Sequence, residues 1–90
     1  MDLRRLEHFL TVLKTGSFGS AARELGITQS GLTKSIQTLE DTVGVPLFLR
    51  HSRGVEPTKY GETLAQHATL MHAQANKALN EIDEVKNGNA

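Results

Sequence analysis

The sequence predicts a mainly α fold, a winged helix-turn-helix followed by a long dimerising helix, on three observations. Glycines at positions 16, 26 and 44 divide the first half into three segments whose apolar residues recur every three or four positions. Residues 45 to 58 break that period with Pro46, Gly54 and Pro57. From Thr58 onward the apolar residues recur at alternating intervals of four and three.

In the first segment Leu3, Leu6, Phe9, Leu10 and Leu13 mark one buried face, so a helix is expected from about Asp2 to Thr15, ended by Gly16 in the left-handed conformation. Ser17 can cap a second helix with Phe18, Ala21, Ala22 and Leu25 facing inward, and Gly26 stops it after barely two turns. Thr28 caps a third helix carrying Leu32, Ile36, Leu39 and Val43, closed by Gly44 with Pro46 beyond. Two helices joined by the tight link "LGIT" form a helix-turn-helix.

The third helix is chemically the most informative. At about 100° per residue, with Gln29 at zero, its four apolar residues fall between roughly 280° and 340°. Gln29, Ser30, Thr33, Lys34 and Gln37 spread over roughly 0° to 140° on the same scale. Such short side chains donate and accept hydrogen bonds to base edges, and Lys34 can reach a guanine or a phosphate. Glu40 and Asp41 lie on nearly the same side about 10 Å further along the axis, so only the first two turns are expected to enter a DNA groove. An ordinary solvated face would show a similar composition.

The segment "VPLFLRHSRGVEPT" suits a small hairpin, or wing, presenting Arg50 and Arg53 near its tip. Arginine on a slim loop can enter a narrow minor groove. A plain surface turn with two solvated arginines is the alternative.

After Pro57, Thr58 is a plausible N-cap, and Leu64, Ala68, Met71, Ala75, Ala78, Ile82 and Val85 form a heptad seam. A helix folded back on its own body would carry the same stripe. At 1.5 Å per residue, however, the helix spans about 40 Å, more than a 60-residue body covers, which favours a dimer.

Composition bounds the remaining classes. Ninety residues make one domain at most, and the absence of cysteine removes disulfide and thiolate chemistry and suits a cytoplasmic location. Glu7, His8 and Lys14 interrupt the apolar N-terminus, which is neither a signal peptide nor a membrane span, so no membrane partner is expected. Net charge is zero, which counts against nucleic-acid binding. Its distribution softens the objection, with eight basic against six acidic side chains up to Lys59 and two against four after it. An enzyme would need a convergent site. His67 and His72 are five apart and split around the helix, the remaining His8 and His51 form no set with them, and no phosphate loop or acid–base pair is found. Neither catalytic residues, metal ligands nor a cofactor are therefore expected. A protein-interaction module with the same fold but no DNA affinity is the other rival, and zero net charge is its best support.

The succession of a helix, "GSFGSAARELGITQSGLTKSIQTLEDTVGVPLFLR", the wing "HSRGVEPT" and "TKYGE" opening a long helix resembles the N-terminal domain of LysR-type transcriptional regulators over essentially the whole chain. Ala21-Ala22, Leu39-Glu40 and "PLFLR" make the match more specific than a helix-turn-helix pattern alone. The resemblance implies a winged helix-turn-helix at 1–57, a dimerising linker helix at 58–87 and a hinge or tail at 88–90. It implies sequence-specific binding of double-stranded DNA by a bacterial transcriptional regulator, with helix 28–43 in the major groove and wing 50–56 at the minor groove. Gln29, Ser30, Thr33, Lys34 and Arg53 match base-contacting positions; Ser17, Thr28, Gln37 and Arg50 are the expected phosphate contacts. A homodimer through Leu64, Ala68, Met71, Ala75, Ala78 and Ile82 would span an interrupted palindrome. Ser30, Gly31 and Lys34 stand where the family often has proline, alanine and arginine. Gly31 is expected to weaken the helix by about 1 kcal/mol relative to alanine. Family members usually continue into an effector-binding domain, so the chain is expected to be a fragment or a minimal form. A small-molecule inducer, and assembly beyond the dimer, would depend on that absent domain.

Overall fold

The computed structural model describes residues 1–88. Its elements are α1 (Leu3–Thr15), α2 (Phe18–Leu25), α3 (Gln29–Val43), β1 (Phe48–His51), β2 (Gly54–Pro57) and α4 (Lys59–Lys86). Local capping explains these boundaries. The side chains of Asp2, Ser17, Thr28 and Thr58 each accept a hydrogen bond from a backbone N–H in the first turn of the helix that follows. At the other ends Gly16, Gly26 and Gly44 adopt the left-handed conformation and return their N–H groups to carbonyls of the last turn.

Helices α1, α2 and α3 enclose one core in which Leu6, Phe9, Val12, Leu32, Leu39 and Leu47 are fully buried. Each large apolar side chain contributes roughly 1.5–3 kcal/mol of transfer free energy, so these six are the main stabilising set. The Phe48 ring extends the core under the wing, tilted against Phe9 at 5.2 Å and edge-on to Phe18 at 6.0 Å. On α1 the buried face differs from the expected one. Val12 and Thr11 are buried and Leu3 is exposed, because the face centres on Phe9 and Val12 and Leu3 lies about 120° from Phe9 around the helix. Thr11 tolerates burial because its hydroxyl donates to the Glu7 carbonyl at 2.9 Å.

The wing is an antiparallel pair with His51 opposite Gly54 and Phe48 opposite Pro57. Three hydrogen bonds hold it, one to the α1–α2 turn, one across its own base and one to α3. Val55 N–H donates to the Gly16 carbonyl at 2.9 Å, and Thr58 N–H donates to the Leu47 carbonyl at 2.9 Å. At the entry strand Leu47 N–H donates to the Glu40 carboxylate at 2.6 Å. Glu40 therefore turns inward to anchor the wing, which corrects its expected place on the exposed face of α3.

The stripe on α4 is divided between two environments. Ala68 is fully buried in the core of its own body and Leu64 packs against that core. Both were expected at a dimer seam; Ala68 has no surface to offer a partner, and Leu64 is largely committed within the chain. Met71, Ile82 and Val85 are exposed, together with Leu70 and Leu79. Only the first part of the stripe folds back, since a 28-residue helix outruns the body and extends the molecule to 52 × 25 × 19 Å. Of the expected hinge or tail, positions 89 and 90 lie outside the described residues.

Candidate nucleic-acid interface

The polar side of α3 forms one open groove lined by Gln29, Ser30, Thr33, Lys34 and Gln37. Four of the five are exposed and Thr33 is half-buried. The opposite side is anchored by Leu32, Ile36 and Leu39 in the core, so packing fixes which side chains face outward. Gln29 leans toward the start of α2, its Oε1 lying 3.5 Å from the position a β-carbon would take at Gly19. That nearness to α2 follows from the tight turn between the two helices.

The expected phosphate contacts have distinct local engagements. The hydroxyl oxygens of Ser17 and Thr28 accept from Ser20 N–H and Gly31 N–H, both at 3.0 Å. Gln37 donates from its amide to Asp41 at 3.1 Å, which occupies one of its two N–H hydrogens. Arg50 is not at the wing tip. It pairs with Val55 within the hairpin, and its guanidinium stacks 4.1 Å over the Phe18 ring. Arg53 occupies the two-residue turn itself and is exposed. At Gly31 a β-carbon would stand 2.9 Å from the Thr28 hydroxyl that caps the helix. The expected gain from alanine there is opposed by disturbance of the cap, worth about 1 kcal/mol.

Sequence periodicity missed the residues that hold α3 from behind. His8 is buried on α1, and its Nδ1 is joined to the Ser35 hydroxyl by a 2.7 Å hydrogen bond. Burial pushes the His8 imidazole below its ordinary value of 6.5, with Arg4 and Arg5 acting in the same direction and Glu7 and Asp2 opposing. A histidine depressed in the folded state contributes stability that is present above about pH 6.5 and lost as pH falls. Thermal melts from about pH 7.5 down to 5.5 should therefore show a steeper decline for the parent than for His8→Gln. Equal slopes would remove His8 as the source. An apolar face interrupted by His8 was the only sequence signal, and it did not reveal Ser35, 27 positions away.

No helix among the described residues is long and apolar enough to cross a membrane, and no group of three or more His, Cys, Asp or Glu side chains there could hold a metal ion. The three-helix body, the two-stranded wing and the polar face of α3 define a winged helix-turn-helix module. The chain belongs to the LysR family, since residues 3–62 match the family described as "Bacterial regulatory helix-turn-helix protein, lysR family". It is 52% identical over 68 residues to the HTH-type transcriptional regulator AbaB of Streptomyces antibioticus, covering 76% of this chain and 23% of AbaB. With the HTH-type transcriptional regulator BudR of Klebsiella aerogenes it shares 40% identity over 88 residues, 98% of this chain and 62% of BudR. The chain thus spans less than two thirds of either relative. Among solved structures, the complex of the BenM DNA-binding domain with catB site 1 DNA superposes with a TM-score of 0.93 at 32% identity, covering 100% of this chain and 97% of that one. The CbnR DNA-binding domain bound to DNA gives 0.89 at 29% identity, over 96% and 99% of the two chains.

Proposed function

We propose that the chain is the DNA-reading module of a bacterial transcriptional regulator and binds double-stranded DNA in a sequence-specific manner as a homodimer. The observation that carries this reading is the open groove on α3, where five hydrogen-bonding side chains face outward from a helix anchored in the core. A helix fits the major groove, and amide and hydroxyl groups can match the donor and acceptor pattern of base edges there. Gln29, Ser30, Thr33 and Lys34 read bases and Arg53 enters the minor groove, while Ser17, Thr28, Gln37 and Arg50 meet phosphates. The similarity to two domains solved in complex with DNA supports the same reading. Pairing runs through the free part of α4, from Met71 through Ala75 and Ala78 to Ile82, and sets two recognition helices on an interrupted palindrome. The module works in the cytoplasm and carries no catalytic site.

The test is selection of bound duplexes from a random pool, with the parent and Gln29→Ala in parallel. The parent should enrich an interrupted palindrome, and the variant should lose definition at one symmetric pair of positions, a discrimination of about 1–3 kcal/mol per base contact. Failure of the parent to enrich any sequence at low salt would overturn direct readout by this chain.

A further inference from the structure

The chain as a whole is neutral, but its charge is not evenly spread around α3. A second groove, of about 290 Å³, runs between the start of α1 and the side of α3, and Arg4, Arg5, Gly31, Lys34 and Asp2 are among its lining residues. Three cations there face a single carboxylate. Asp2 is engaged, accepting from Arg4 N–H at 2.8 Å and from the Arg5 guanidinium at 3.0 Å. The charge left over is positive, beside a base-reading face whose only ion is Lys34.

Three observations make this groove a seat for an anion rather than a solvated patch. The Arg5 Nε is buried without a hydrogen-bond partner, so among the described residues the single bond to Asp2 is the one polar contact that offsets its guanidinium charge. Gly31 lines the groove where α3 carries no side chain, directly beside the Thr28 hydroxyl that caps the helix. Lys34 lines both grooves, which makes the two surfaces continuous around one side chain. A duplex lying along Gln29, Ser30 and Thr33 would therefore bring a strand of its backbone beside Lys34, within reach of the two arginines.

We infer that the groove between α1 and α3 seats a backbone phosphate of the bound duplex through Arg4, Arg5 and Lys34. This inference rests on the DNA-binding reading and deepens it, assigning to α1 a part in docking that helix-turn-helix patterns do not give it. The guanidinium forks suit phosphate oxygens, and Lys34 adds a point charge from the far wall. A phosphate contact fixes the register of α3 in the groove without reading sequence. It also explains how a chain of zero net charge could hold DNA, by placing three cations against one carboxylate where the backbone passes.

The experiment measures binding to the duplex selected by the parent across a salt series, for the parent, Arg4→Gln/Arg5→Gln, Arg4→Lys/Arg5→Lys and Arg4→Gln alone. Each lost phosphate contact lowers the slope of log affinity against log salt by about 0.9, so a dimer with one seat per protomer should lose about 1.8 in the double glutamine variant. Its selected base sequence should be unchanged, and the lysine variant should recover most of the slope. Arg4→Gln keeps the Asp2 capping bond, which uses the backbone N–H of residue 4, and serves if the double variant fails to fold. An unchanged slope in folded variants, or a changed base preference with the slope intact, would overturn the inference while leaving DNA binding standing. A parent that binds no duplex would instead overturn the DNA reading, and this inference with it.

Discussion

Gly54→Ala should destabilise the domain by about 3 kcal/mol and detach the wing. Gly54 has φ +135°, a conformation that side-chain-bearing residues rarely adopt, and a β-carbon there would overlap the carbonyl oxygen of Gly16. The obstacle is backbone and cannot swing aside. That same carbonyl accepts the 2.9 Å hydrogen bond from Val55 N–H, so relief of the overlap breaks the staple between the wing and the α1–α2 turn. Backbone strain of about 1–3 kcal/mol and a lost hydrogen bond of about 1 kcal/mol act together. Gly16→Ala is the control. Its φ is +76°, and no neighbouring atom lies within 4 Å of the added carbon, so only the left-handed penalty of about 1–2 kcal/mol applies. Urea unfolding of the two variants measures the difference. If Gly54→Ala costs no more than Gly16→Ala, the staple is not what holds the wing, and Arg53 is not positioned by it.

Ile82→Glu should leave the fold intact and reduce affinity for a two-half-site duplex by about 100-fold or more, the scale on which linked binding exceeds single-site binding. Ile82 is 60% exposed and lies with Ala78 and Val85 along a shallow apolar groove on the part of α4 that extends past the body. It has no core neighbours to lose, so the melting temperature should move little, as for surface changes within about 0.5 kcal/mol. Sedimentation should show a monomer, and affinity for an isolated half-site should equal the parent's. Leu64→Glu discriminates between the two parts of the stripe. Leu64 packs against the body's own core, so its replacement should lower stability first and affinity as a consequence. A monomeric Ile82→Glu that still binds the full site as tightly as the parent would refute docking through α4.

The elements of this chain were legible because their signals are local. Ser17, Thr28 and Thr58 cap helices through bonds to N–H groups three residues ahead, and Gly16, Gly26 and Gly44 close them within four residues of the carbonyls they serve. Such spacings can be read along the chain without knowing the fold. The outward set on α3 was legible for a related reason. Leu32, Ile36 and Leu39 define the buried side by periodicity, and Gln29, Ser30, Thr33, Lys34 and Gln37 take the other.

Periodicity reports that a face is apolar and leaves open what covers it. The stripe on α4 is continuous in sequence, yet Ala68 is sealed inside its own body and Ile82 faces outward, because only the first turns of α4 lie alongside that body. Long-range placement decided the rest. Glu40 reaches Leu47 instead of the exposed face, Arg50 stacks on Phe18 instead of standing at the wing tip, and His8 meets Ser35 across 27 positions. Arg4, Arg5 and Lys34 come to line one groove only when α1 packs on α3. Caps and helical periods, set by bonds spanning three or four residues, were therefore determined by the sequence itself. Which polar groups share a surface was decided by the tertiary structure, since burial and charge depend on neighbours that chain order does not specify.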